Sequence, residues 1–153
     1  MLVKSYMNLS PMTVTKDETL ATVIKMMVEE KTNSLVVINK DEKPIGLIST
    51  HALIKEIVPS YLQDDPLYSQ FGVGGTLKKY VERAKNDKVS DFMITNFHTL
   101  TLDDYMIEAA SYTILDELRT LPVVDKDGKI AGTISRTAIK KCLYDSLYNV
   151  EEE

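Results

Sequence analysis

Sliding the chain along itself at an offset of 86 residues superposes Met7–Ile57 on Met93–Leu143 without a gap. Met7 meets Met93, Thr13 meets Thr99, Asp17 meets Asp103, Leu35 meets Leu121, Val37 meets Val123, Gly46 meets Gly132, Ser49 meets Ser135 and Ala52 meets Ala138. So many identities in one gapless register do not arise by chance; one supersecondary unit is written twice. A unit of roughly 50 residues makes too little core to stand alone, so the two copies must share one body.

Each copy reads the same way locally. The stubs "TVT" (13–15) and "TLT" (99–101) favour β structure, and Asp17-Glu18 and Asp103-Asp104 suit helix starts through capping and the helix dipole. Leu20, Val23, Ile24 and Met27 then recur at helical spacing, as do Met106, Ala109, Ala110 and Ile114, which predicts two helices with those residues inward. The β-branched runs "SLVVIN" and "LPVVD" are too short for helices, and the polar turns "KDEKP" and "KDGK" lead each into a second strand, so each pair forms a hairpin. Ser49 and Ser135 stand where an N-cap belongs, ahead of "HALIKEIV" and "TAIKKCLY". The unit is β-α-β-β-α, and the predicted class is α+β: a pseudo-symmetric pair of repeats packed sheet to sheet, with a partly helical insertion. The expected division is 1–58 for repeat 1, 59–88 for the insertion, 89–147 for repeat 2 and 148–153 for an acidic tail. In the insertion, "PSYLQDDP" reads as a turn, "FGVGG" as a flexible loop and "TLKKYVERAK" as a helix with Leu77, Tyr80 and Val81 inward. It serves either as a joint or as a cover for a cleft or dimer face.

Several function classes fall away. With 44% apolar and 27% charged residues the composition is that of a soluble globular protein, no run approaches a membrane span, and the N-terminal residues lack the apolar core of a secretory signal, so the expected location is cytoplasmic. The net charge of −5 opposes a nucleic-acid surface, and Lys78, Lys79, Lys85 and Lys88 are interspersed with acids, as on a solvated helix face. Cys142, the single cysteine, lies in an apolar helical pattern and reads as a packing residue. "GVGG" gives no phosphate loop, and no His or Cys spacing marks a metal site. His51 and His98 offer no nucleophile-base pairing, and Asp64-Asp65 before Pro66 read as a helix start rather than a cation site. The chain is expected not to be an enzyme.

The repeat resembles the tandem cystathionine-β-synthase (CBS) domain pair, or Bateman module. "LPVVDKDGKIAGTIS" is the most specific piece, and the resemblance covers nearly all of the chain outside the insertion. It implies a regulatory sensor that binds an adenosine-containing ligand (AMP, ADP or ATP) between its repeats, forms a homodimer through its helices and signals to a partner protein. The resemblance places Met12-Thr13, His98-Thr99, Asn33-Ser34-Leu35 and Arg119-Thr120-Leu121 along the pocket walls. It places phosphate at Ser49-Thr50 and Ser135-Arg136, the hydroxyl positions of the family's Gly-x-x-Thr/Ser-x-x-Asp motif. The acid of that motif, which takes the ribose hydroxyls, is here Ala52 and Ala138. Alanine cannot accept those hydrogen bonds, so a charge-assisted pair worth about 1.5–3 kcal/mol is missing from both copies. That departure keeps alternatives open: a cyclic dinucleotide, S-adenosylmethionine, or a ligand-free scaffold. From the residues alone, Ser49 and Ser135 read as plain N-caps, and Arg119 and Arg136 read equally as exposed charges.

Overall fold

The computed structural model describes residues 1–60 and 76–149. The "FGVGG" loop, Asp64-Asp65, most of "PSYLQDDP" and residues 150–153 of the tail lie outside them. After a 3-10 turn at Val3–Ser5, the first repeat runs β1 (Thr13–Val14), α1 (Leu20–Glu29), β2 (Ser34–Ile38), β3 (Pro44–Ser49) and α2 (Thr50–Ile57). Then come α3 (Thr76–Ala84) and α4 (Val89–Phe92), followed by β4 (Leu100–Thr101), α5 (Met106–Leu115), β5 (Thr120–Val124), β6 (Ile130–Ser135) and α6 (Arg136–Tyr148). Each repeat is thus the β-α-β-β-α unit expected, with a three-stranded sheet in which the first strand is parallel to the second and the second antiparallel to the third.

The hairpin turns are built by one device at equivalent positions. Asn39 Oδ1 accepts from the amides of Asp41 and Lys43, and Asp125 Oδ1 from those of Asp127 and Lys129. These side chains mimic backbone turns, and each turn includes a left-handed residue, Glu42 (φ 60°) or Gly128 (φ 78°). Ser49 and Ser135 cap the helices that follow, accepting from the amides of Ala52 (3.1 Å) and Ala138 (3.2 Å).

The repeats exchange their leading segments. The Val3 amide donates to the Asp104 carbonyl, and the Met106 amide to that of Met1. At the equivalent positions, Val89 donates to Glu18 and Leu20 to Asp87. Farther along, Asn8 bridges Thr133 on β6, and Ile94 bridges Leu47 on β3. The first eight residues therefore dock on the second repeat, and residues 87–94 on the first. The matched Met/Gly pairs of the sequence lie at these crossings: a Cβ on Gly46 would come within 2.6 Å of Met93 Sδ, and one on Gly132 within 2.8 Å of Met7 Cε. Gly46 and Gly132 serve by lacking a side chain.

Two cores result. One gathers Leu20, Val23, Leu35, Val37 and Ile48 of repeat 1 with Val89 and Phe92 from the exchanged segment; the other gathers Leu100, Met106, Leu121, Val123, Ile134 and Cys142 with Val3. Val36 and Leu47, on the opposite face of the first sheet, pack into the second core, and Ser34 Oγ lies 3.2 Å from Thr120 Oγ1, so the sheets meet face to face. Cys142 is buried, as its helical pattern required.

Three local expectations are corrected. Ile114 is 78% exposed and Leu77 65% exposed; Thr113 takes the inward place on α5, and Ala84 is the buried residue of α3. The acids at 17–18 and 103–104 precede the helices rather than cap them. Thr19 caps α1 through its hydroxyl, and on α5 the Glu108 carboxylate accepts from the Tyr105 amide (2.8 Å) while Asp104 holds the amide of Thr101.

Candidate functional site

Two clefts open between the repeats. The smaller, of about 350 Å³, is lined by Asn8, Met12, Lys31, Thr32, Asn33, Ser34 and Val36 with Thr120, Thr133, Ser135 and Thr137. The larger, of about 780 Å³, joins Leu47, Ile48, Ser49, Thr50, His51 and Ile54 of repeat 1 to Ile94, Leu118, Arg119, Thr120 and Arg136 of repeat 2, with Asn33 and Ser34, and Asp116 and Glu117 at one end. Adding 86 to Lys31, Thr32, Asn33 and Ser34 gives Glu117, Leu118, Arg119 and Thr120; the clefts are pseudo-symmetric counterparts. At each mouth the chain turns from helix to strand through a left-handed residue, Lys31 (φ 52°) or Glu117 (φ 55°).

The serines face different clefts: Ser49 the larger, Ser135 the smaller. Arg136, expected beside Ser135, turns instead toward the larger cleft, where the amide of Arg136 donates to the carbonyl of Arg119 (3.0 Å) across the end of the β5–β6 ladder. Two guanidiniums thus emerge from neighbouring backbone positions. Both are exposed, and neither makes an ion pair with another described residue.

The CBS domain family matches residues 3–59 and 89–145, three quarters of the chain and both repeats. The chain belongs to the CBS domain family. An uncharacterized protein of Methanocaldococcus jannaschii is 29% identical over 151 residues, covering 89% of this chain and 87% of its own. The choline transport ATP-binding protein OpuBA of Bacillus subtilis is 24% identical across 99% of this chain, which spans 33% of that protein's length. Among solved structures, the CBS-pair protein CBSX2 of Arabidopsis thaliana superposes with a TM-score of 0.79 at 20% identity, covering 97% of this chain and 98% of that one. A CBS domain protein of Bacillus anthracis superposes at 0.75 and 24%, covering 95% and 94%.

Of the site residues expected from sequence, the CBS repeats bring Met12, Asn33, Ser34, Thr120 and Ser135 to the smaller cleft. They bring Asn33, Ser34, Ser49, Thr50, Arg119, Thr120 and Arg136 to the larger. Five others line neither. Leu35 and Leu121 are core residues, and Thr13 is held in β1 against Val36. Thr99 is exposed outside both clefts. His98 is clasped by Asp116: its amide donates to Oδ2 and its Nδ1 lies on Oδ1, both at 2.7 Å, and its ring stacks on Tyr112 at 4.2 Å. Asp116 Oδ1 and Oδ2 are thereby engaged, and its side chain is only 7% exposed. The lining residues missed by the sequence reading include Leu47, Ile54, Ile94 and Leu118 in the larger cleft and Asn8, Lys31, Thr133 and Thr137 in the smaller. Their signal was present: Thr137 and His51 are each two residues past a capping serine, and Lys31 and Glu117 each directly follow a helix C-cap.

Among the described residues no cluster of His, Cys, Asp or Glu could hold a metal ion, and no helix is long and apolar enough to cross a membrane.

Proposed function

We propose that the chain is a regulatory sensor of the cytoplasm that binds an adenosine nucleotide in the cleft between its CBS repeats and passes its state to a partner protein, without catalysis. The observation that carries this reading is the larger cleft. Its 780 Å³ lies within the roughly 300–1,000 Å³ of small-molecule sites, an aliphatic wall of Leu47, Ile54, Ile94 and Leu118 suits a base, and two guanidiniums with no ion-pair partner among the described residues suit phosphate. Solved structures of this fold lend support: CBSX2 is known in complex with AMP, and the CBS domain pair of protein MJ0100 with 5-methylthioadenosine and S-adenosyl-L-methionine. A ligand biases a partner only through unequal affinity for two conformations. A cleft walled by both repeats can differ between conformations.

Ala52 and Ala138 favour a second reading, in which the ligand needs no carboxylate on its ribose hydroxyls, as in a cyclic dinucleotide with esterified ribose. Thermal-shift measurements with AMP, ATP, cyclic di-AMP and S-adenosylmethionine separate the two. A ligand at 100 times its dissociation constant stabilises by about 2.7 kcal/mol, a rise of roughly 5–10 °C for a domain of this size. No shift with any of the four would leave only a ligand-free scaffold.

The proposed homodimer rests on α5 and α6. Ile107, Ile114, Leu115, Leu143, Tyr144, Leu147 and Tyr148 are exposed on these two helices, which pack against each other, whereas α2 of repeat 1 is covered by α3 and α4. On α6, Lys141 pairs with Asp145. An exposed apolar patch can face its own copy across a two-fold axis.

A further inference from the structure

The two clefts are related by symmetry of the backbone but not of the side chains. Proceeding from smaller to larger by the offset of 86, Asn8 becomes Ile94, Thr32 becomes Leu118, and Asn33 becomes Arg119; in the reverse sense, Thr133 stands where the larger cleft has Leu47, and Thr137 where it has His51. At three of these five positions a hydroxyl or amide replaces an aliphatic side chain. The smaller cleft is left with Met12 and Val36 as its apolar lining.

We infer that the chain binds one nucleotide, in the larger cleft only, and that the smaller cleft is a polar site from which the base is excluded. This assignment rests on the nucleotide reading above and specifies its stoichiometry and place. A purine ring is driven into a site by replacing water on apolar surface, and in the smaller cleft it would have to displace water from polar groups such as Asn8 and Thr137, whose hydrogen bonds a ring face cannot replace. Volume points the same way, at 350 against 780 Å³. Charge supports it through arrangement rather than total. The larger cleft carries Arg119, Arg136, Asp116 and Glu117, but Asp116 is engaged by His98 while both arginines have no ion-pair partner among the described residues. Lys31 is the charged residue of the smaller cleft.

The test uses a matched pair of exposed positions. His51 and Thr137 are each the second residue of a helix, on α2 and α6, one in each cleft. Glutamate is well tolerated in a first helical turn, so His51→Glu and Thr137→Glu should both fold, as circular dichroism would verify. Titration calorimetry of the full chain with AMP should give one site per chain. His51→Glu, which sets a negative charge beside the phosphate, should weaken binding at least tenfold, and Thr137→Glu should change it less than twofold. Two sites per chain, or a loss with Thr137→Glu and none with His51→Glu, would overturn the one-cleft assignment while leaving nucleotide binding intact. Absence of AMP binding by the unaltered chain would remove the nucleotide reading and this assignment with it.

Discussion

Gly46→Ala and Gly132→Ala make the same change at equivalent points of the two repeats, yet their costs should differ. The atoms nearest to an added Cβ at Gly46 belong to the Met93 side chain, at 2.6 Å for Sδ, 3.0 Å for Cγ and 3.1 Å for Cβ. The thioether end can swing away, and the rest must yield by a few tenths of an ångström, an overpacking cost of about 1–1.5 kcal/mol. At Gly132 the methyl meets Met7 Cε at 2.8 Å and, closer still, the backbone carbonyl oxygen of Asn8. That carbonyl accepts from the Thr133 amide (3.1 Å), and the Asn8 amide donates to Thr133 (2.8 Å), so Asn8 cannot retreat without loosening both bonds. Adding about 1 kcal/mol for each bond to an overpacking term of about 1–2 kcal/mol gives roughly 3–4 kcal/mol. At about 2–4 °C per kcal/mol for a chain of this length, the midpoint should fall on the order of 10 °C for Gly132→Ala and about 3–5 °C for Gly46→Ala. The gain from a stiffer unfolded chain is common to both and cancels. Urea unfolding followed by circular dichroism measures the difference. Equal costs, or a costlier Gly46→Ala, would refute the assignment of Asn8 as the rigid neighbour.

The remaining predictions concern titration and assembly. Tyr6 donates to Asp145 Oδ2 (2.9 Å), and burial followed by that bond pushes its phenol up to about 12. A raised folded value contributes stability below the unfolded value near 10 that is lost as pH climbs through 12, so Tyr6→Phe should be less stable at pH 8 and draw level with the unaltered chain toward pH 12 in pH-dependent urea melts. Burial, then the neighbouring Asp87 and Asp91, raise the pKa of Glu56. Its contribution is therefore present below the unfolded value of 4.5 and lost above the folded one. Glu56→Gln should accordingly raise the melting temperature at pH 7, with the advantage fading near pH 4; a uniform effect across that range would disprove the carboxylate cluster. Leu147→Asp on the exposed face of α6 should convert the proposed dimer into a 17.3 kDa monomer by light scattering, whereas Leu77→Asp on α3 should not.

The repeat unit was legible because equivalent positions carry equivalent physical demands: β-branched runs buried on both faces, turns needing Asn39 or Asp125, helices needing Ser49 or Ser135 as caps. The exchange of leading segments was not legible, since it rests on single bridges such as Asn8 to Thr133, and one extended residue leaves no periodicity. Ile114 and Leu77 misled because helical spacing defines a stripe without saying whether the chain's own core or something else covers it. Of the site, the neighbourhood was readable and the partnership was not. Ser135 and Arg136 are adjacent in sequence, but passing from the last strand residue to the first helical residue sends them to opposite clefts. The clasp of His98 by Asp116 spans 18 residues and combines a backbone amide with a side chain, a pairing that spacing does not encode.

The reciprocal docking of residues 1–8 and 87–94 has a consequence for folding. Neither repeat closes its own core, because Val3 fills one and Val89 and Phe92 the other. Contacts such as Val3 with Asp104 join residues about a hundred apart, and each half needs a segment of the other to complete its core, which favours a slow, all-or-none transition over two independent ones. A single excised repeat would hold an unoccupied dock together with the segment that fits the other repeat. One fragment of each kind would restore between separate molecules the embrace that the intact chain makes with itself.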